Sequence, residues 1–199
     1  MKYFYTIAAF VTITLSANAQ QNLYITASIF NTQNAMPFGK FSGLVTEIMH
    51  PGVEIGYGKI FWKKEKHYWF RECKVGYFYH RYVQHGIPIY VDFGYNHTLI
   101  KKFSLKTSIG AGYMHSIPAV DKFKLSSNGE YKNNKGIGRM QGIATFSMGM
   151  EYKLKTSSSW PFAIFSNYQQ RIQFPFVKSY VPLLPYNSIM IGLHLPIKR

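Results

Sequence analysis

Residues 87–97 read Ile87-Pro88-Ile89-Tyr90-Val91-Asp92-Phe93-Gly94-Tyr95-Asn96-His97. Ile87, Ile89, Val91, Phe93 and Tyr95 fall on one side of a period of two, and Pro88, Tyr90, Asp92, Gly94 and Asn96 on the other. Successive side chains of a strand point to opposite faces, so this stretch is a strand with unlike faces. One face is a continuous apolar column. The other carries a carboxylate and an amide, groups that an apolar medium does not tolerate unpaired.

The same alternation recurs along the chain. Residues 52–62 set Val53, Ile55 and Tyr57 against Gly52, Glu54, Gly56 and Gly58. Residues 67–80 set Cys73, Val75, Tyr77 and Tyr79 against Glu72, Lys74, Gly76 and His80. In residues 103–115, Phe103, Leu105, Ile109, Ala111 and Tyr113 oppose Ser104, Lys106, Ser108, Gly110 and Gly112. Residues 139–154 place Ala144, Phe146, Met148, Met150 and Tyr152 against Gln141, Thr145, Ser147 and Glu151. Strands are also expected at 160–172 and 187–195, the latter with Ile189, Ile191, Leu193 and Leu195 on one face. Residues 23–30 supply the eighth, with Leu23, Ile25, Ala27 and Ile29 outward.

Connections 63–66, 99–102 and 155–159 are short, whereas 31–51, 116–138 and 173–186 are long and 81–86 is intermediate. Short turns at one end and longer loops at the other are the habit of outer-membrane barrels. An even strand count puts both ends of the chain on the short-turn side, so parity and loop length agree.

The first residues bear on the compartment. Lys2, an uncharged apolar run over 5–15 and the small-residue exit Ala17-Asn18-Ala19 form a secretory signal peptide. The run is too short to cross a bilayer as a helix. The expected organisation is a signal peptide at 1–19 and a single domain at 20–199. Cys73 stands alone, so no internal disulfide forms. Aromatic residues make up 18% of the chain and charged residues only 16%, well below the quarter usual in soluble domains. No stretch after the leader is long and apolar enough for a membrane helix. A barrel wall shows lipid only every second residue and accounts for both facts. The formal net charge of +15 would suggest nucleic acid, but the export signal argues against it. Outer-membrane lipids, anionic glycolipid included, are the expected partner.

An eight-stranded barrel is narrow and filled by side chains. With the apolar faces outward, Glu54, Glu72, Lys74, Asp92, Lys106, Arg139, Glu151 and Arg171 face inward as a structural charge network. Four of the eight acids lie in this set, and buried charges must be paired. Gly56, Gly58, Gly76, Gly94, Gly110 and Gly112 share the inner faces and leave room for large neighbours. Trp62, Tyr68, Trp69 and Trp160 are expected as an aromatic girdle at one rim, and Tyr77, Tyr79 and Tyr113 at the other.

Catalysis has little to stand on. His115 and Ser116 are adjacent and therefore point to opposite faces of a strand. His80 and His85 flank a turn without a third ligand beside them, and no phosphate-binding loop or zinc spacing occurs. The expectation is a non-enzymatic barrel with a plugged lumen and no cofactor, serving the envelope structurally or through partners and loops. The alternatives are a narrow channel or transporter, a lipocalin-like periplasmic lipid carrier whose apolar faces point inward, and, ranked last, a lipid-modifying barrel enzyme.

The leader ending Ala17-Asn18-Ala19, the alternating segments and the final strand at 187–195 together resemble the small outer-membrane barrels related to the OmpA and OmpW barrel domains. That resemblance implies an all-β, antiparallel, up-and-down transmembrane barrel of eight strands in the outer membrane. His50-Pro51-Gly52 running into Val53-Glu54-Ile55-Gly56-Tyr57 looks like an opening motif shared among envelope barrels. One departure is that Leu195 is followed by Pro196-Ile197-Lys198-Arg199 where such barrels often end in an aromatic residue.

Overall fold

The computed structural model describes residues 22–35, 42–121, 123–133, 136–154, 162–176 and 182–197. The leader at 1–19, the turn at 155–159 and Trp160 lie outside the described residues. Eight strands form the wall: β1 (Asn22–Asn34), β2 (Pro51–Lys63), β3 (His67–His80), β4 (Gln84–Ile100), β5 (Phe103–Pro118), β8 (Arg139–Lys153), β9 (Ala163–Phe174) and β10 (Leu184–Pro196). Each is antiparallel to its neighbours, and the last pairs with the first, Ile29 opposite Ile191, so the sheet closes and leaves no edge. The connection between β5 and β8 carries a hairpin of β6 (Phe123–Leu125) and β7 (Tyr131–Asn133), and α1 (Gly43–Thr46) sits between β1 and β2.

Alternation sets which way each strand faces. Ile29, Val53, Ile55, Val75, Phe93, Ile109, Met148 and Ile191 are exposed on the outer wall, while Glu54, Glu72, Lys74, Asp92 and Lys106 are buried inside. A soluble carrier would show the reverse. The wall strands run from 12 to 17 residues, long enough for each to cross a bilayer, which takes roughly 9–11.

The structure corrects several expected bounds. Gln84, His85 and Gly86 are not part of a turn: they continue the β3–β4 ladder opposite His80, Tyr79 and Phe78, leaving only 81–83 to turn the chain. The strand expected at 23–30 reaches Asn34, and the last strand starts at Leu184. The stretch 116–138 is not loop throughout. Its hairpin pairs Leu125 with Tyr131 around Gly129, whose positive φ of 78° suits a residue without a Cβ. Three-residue strands are too short for alternation to show. Tyr68 is not in the outer girdle; it points inward and is buried, whereas Trp62 and Trp69 are exposed outside.

Candidate functional site: the barrel lumen

The inner faces of the eight strands stack into layers. In the middle, Lys74 from β3 lies between Glu54 of β2 (3.4 Å) and Asp92 of β4 (3.1 Å). Thr145 and Ser108 donate to the Asp92 carboxylate at 3.0 and 3.4 Å. Tyr90 donates to Glu54 Oε2 at 2.6 Å, and Arg171 Nη2 approaches the same oxygen at 3.7 Å. Arg171 also donates to Gln169 Oε1 at 2.7 Å, and Gln169 in turn donates to Tyr90 and Ser147. Six strands, β2, β3, β4, β5, β8 and β9, therefore meet in one connected cluster.

Arg171 is fully buried, and its Nε and Nη1 have no hydrogen-bond partner. They are not bare, because the guanidinium lies 5.6–5.8 Å from the ring centres of Phe30, Phe78 and Tyr90. A desolvated cation over ring faces is stabilised by the ring quadrupoles.

Below this belt, Glu72 accepts from Lys106 at 3.2 Å, from Tyr24 at 3.4 Å and from Thr26. Lys106 Nζ also stands 4.4 Å from the centre of the Phe70 ring. Lower still, Glu151 pairs with His194 Nδ1 at 2.8 Å. Among the described residues, three inward cations and His194 thus face four inward carboxylates. Room for this comes partly from glycine. A Cβ on Gly94 would run into the Phe70 ring, and one on Gly56 into Glu72 and Thr26.

Above the belt, Phe30, Phe78, Tyr90, Met114, Ile143, Tyr186 and Met190 form an apolar layer. The long-loop end is closed by neutral amides. Gln84 and Gln173 exchange hydrogen bonds at 2.7 and 3.1 Å; Gln84 also donates to Tyr186 at 2.9 Å and accepts from Ser116, while Gln173 donates to Gln141. Beside this lid the buried rings of His50 and His80 stack at 3.7 Å.

Seven of the eight sequence-derived lumen charges, Glu54, Glu72, Lys74, Asp92, Lys106, Glu151 and Arg171, are buried inside. Arg139 is not among them. It has the inward parity of β8, but it is the first residue of that strand, above the Gln141 lid, and its guanidinium lies exposed over Phe176. His194, Tyr90, Gln169 and the glutamine lid escape a search for charges alone. Their parity with Asp92, Arg171 and Gly192 carries the signal. His80 and His85 cannot share a metal, since the first is inside and the second bonds Tyr77 outside. His115 likewise bonds Tyr113 on the outer side while Ser116 is buried inside.

A closed eight-stranded meander with an apolar outer wall and a filled, charged lumen defines a small membrane-spanning β-barrel of the outer-membrane type. Solved structures of that type are similar to it in fold. Neisserial surface protein A aligns at TM-score 0.54 and 6% identity over 92% of this chain and 100% of its own. The N-terminal barrel domain of Pseudomonas aeruginosa OprF aligns at TM-score 0.43 and 14% identity, over 89% of this chain and 100% of that one. The outer-membrane enzyme PagL aligns at TM-score 0.47 and 10% identity, over 87% and 99%. No protein-family model and no curated protein matches the sequence.

Proposed function

We propose that this chain is a non-enzymatic resident of the outer membrane whose lumen is a structural plug and whose work is done by its external loops and its lipid-facing wall. The observation that supports this reading is the continuous cluster joining Lys74, Glu54, Asp92, Tyr90, Arg171 and Gln169 across the barrel. A hydrated path needs water between such groups; here they contact one another directly. The opposite facing of His115 and Ser116 keeps that serine hydroxyl away from that base, which supports a role without catalysis. Ile48, Met49, Phe123, Leu125, Tyr131 and Ile137 are exposed apolar side chains in the long connections, as a partner-binding role would require. Exposed Lys63, Lys64, Lys66, Lys101 and Lys102 at the short-turn rim fit anionic lipid head groups.

Planar-bilayer recording of the purified barrel tests the plug. Silent membranes are the expected outcome, and steady single-channel current from the unaltered protein would overturn it in favour of a transporter.

A further inference from the structure

Among the described residues, the lumen is closed at its loop end and open at its short-turn end. There a cavity of about 430 Å³ penetrates the barrel, within the 300–1,000 Å³ range of pockets that hold small organic ligands. Its walls are apolar: Leu23 and Tyr24 from β1, Ile60 from β2, Tyr68 from β3, and Phe162 and Ala163 at the start of β9. The Tyr24, Tyr68 and Phe70 rings pack together and separate it from the charged belt above. The cavity is therefore a cup and not a passage.

Its polar groups are segregated. At the floor Glu151 is already engaged by His194 at 2.8 Å, and the His194 ring packs against Tyr24 at 4.3 Å, so the floor offers no free charge. At the rim stand Lys63, Lys64 and Lys153, with Glu65 as the acid among them, and the strand-end residues Asn22, His67 and Thr98 add further polar groups to the lining. Lys64 is drawn over the Trp62 ring at 4.9 Å, leaving Lys63 and Lys153, both exposed, on either side of the opening. An apolar cup under a cationic rim recognises one chemistry: a single alkyl chain that ends in an anionic head. The chain would displace poorly held water from the cup, and the head would remain at the rim within reach of the ammonium groups.

We propose that this cup binds a single-chain amphiphilic anion, tail inward and head at Lys63 and Lys153. Only its periplasmic address rests on the orientation proposed above; the cup itself does not depend on whether the lumen conducts. Such an anion has two sources, a free fatty acid or a lysophospholipid with an acidic head, and they share the recognised chemistry.

The test uses the folded barrel in nanodiscs of zwitterionic lipid, with folding verified by heat-modifiable gel migration. A dodecanoate carrying a diazirine near its tail is photolysed, and the adducts are mapped by mass spectrometry. Tail adducts at Phe162, Ala163 or Tyr24 are expected. Unlabelled dodecanoate should compete, and dodecyltrimethylammonium, with the same tail and the opposite head, should not. Lysophosphatidylglycerol competing better than dodecanoate would assign the lipid source, and the converse the free acid; either outcome upholds the site. Lys63→Gln with Lys153→Gln alters only the exposed rim and should weaken competition roughly tenfold, the sum of two modest ion pairs. Ala163→Trp fills the cup and should abolish the adducts in the fraction that folds. Adducts confined to outer-wall residues such as Val53 and Ile109, or equal competition by the ammonium compound, would overturn the proposal.

Discussion

The middle of the lumen and its loop end fill the same narrow tube with different chemistry. In the middle, Lys74, Arg171, Glu54 and Asp92 are held by one another and by hydroxyls from three strands. At the loop end Gln84, Gln141, Gln173, Ser116 and Tyr186 close the tube with no formal charge. Buried charges bind strongly but only as a complete set, because removing one partner leaves the others desolvated. Neutral amides lose less when one is removed, since each keeps other partners and no bare charge is left behind. The belt should therefore be the brittle region and the lid the tolerant one.

Lys74→Met is the hardest blow to that contrast. It strips Asp92 of its cation and leaves Glu54 only Arg171 at 3.7 Å, so the loss should be about 3–5 kcal/mol. Urea unfolding in micelles, followed by tryptophan fluorescence, measures it. Adding Asp92→Asn to Lys74→Met should recover part of the loss. If the double variant were no better than the single, pairing would not be what holds the belt.

Next in size is a change on the outer wall of the same strand. Val91 is exposed between Ile89 and Phe93, at the level of Lys74 and Asp92 inside. Val91→Arg places a charge near mid-membrane, at a cost of about 2–4 kcal/mol. Its folded fraction after insertion into vesicles should drop sharply. A charge at that depth without effect would mean that the column does not face lipid.

The wall was legible because alternation is a long-range, repeated signal. Each of eight strands reports the same two faces, and an error of one residue would turn Ile89, Val91 and Phe93 inward against Lys74. The belt was legible for the same reason: charges in the minority face of an apolar-alternating strand have nowhere else to go. Legibility failed where parity stops deciding. Arg139 has the right parity but sits above the lid. Tyr68 has inward parity, yet aromatic residues at strand ends suit a girdle as well as a core. The β6–β7 hairpin is shorter than the pattern that would betray it. His194 was invisible as a partner because Glu151 is 43 positions away in sequence, and only the closure of β10 back through β9 to β8 brings them together.

A milder variant probes the lid. Gln173→Leu removes the amide that links Gln84 to Gln141, leaving Gln84 its bonds to Tyr186 and Ser116. The expected loss is about 1–3 kcal/mol, clearly below that of Lys74→Met in the same urea assay. A loss equal to the Lys74 variant would erase the distinction between the two regions. If the amide lid rather than the belt blocks the tube, Gln173→Leu would conduct while Lys74→Met stayed silent; both should be silent, since the apolar layer beneath the lid is intact in each.

The smallest effect lies at the edge of the lid, where pH should separate it from the belt. His50 precedes β2, donates its backbone N–H to Asn31 Oδ1 at 2.8 Å, sets Nδ1 3.0 Å from Gln33 Oε1 and stacks on His80. Burial disfavours its charged form and holds its imidazole below the ordinary histidine range, against weaker pulls upward from a hydrogen bond with the Thr32 backbone and from the Glu47 charge. A group whose folded value lies below its unfolded value near 6.5 contributes stability above that pH and loses it as the medium acidifies through the folded value. Mild acid should therefore loosen the contact between His50 and β1 before the barrel unfolds. Carbon–proton correlation spectra of histidine-labelled protein would follow the His50 ring, with Gln33→Ala assigning the change. The ring should titrate below a histidine-containing peptide in the same buffer, and amide exchange at Thr32, which donates to the His50 carbonyl at 3.1 Å, should rise with it. A His50 that titrates at or above the peptide value would mean that its ring is not buried against His80, and the neutral lid would lose its one acid-sensitive edge.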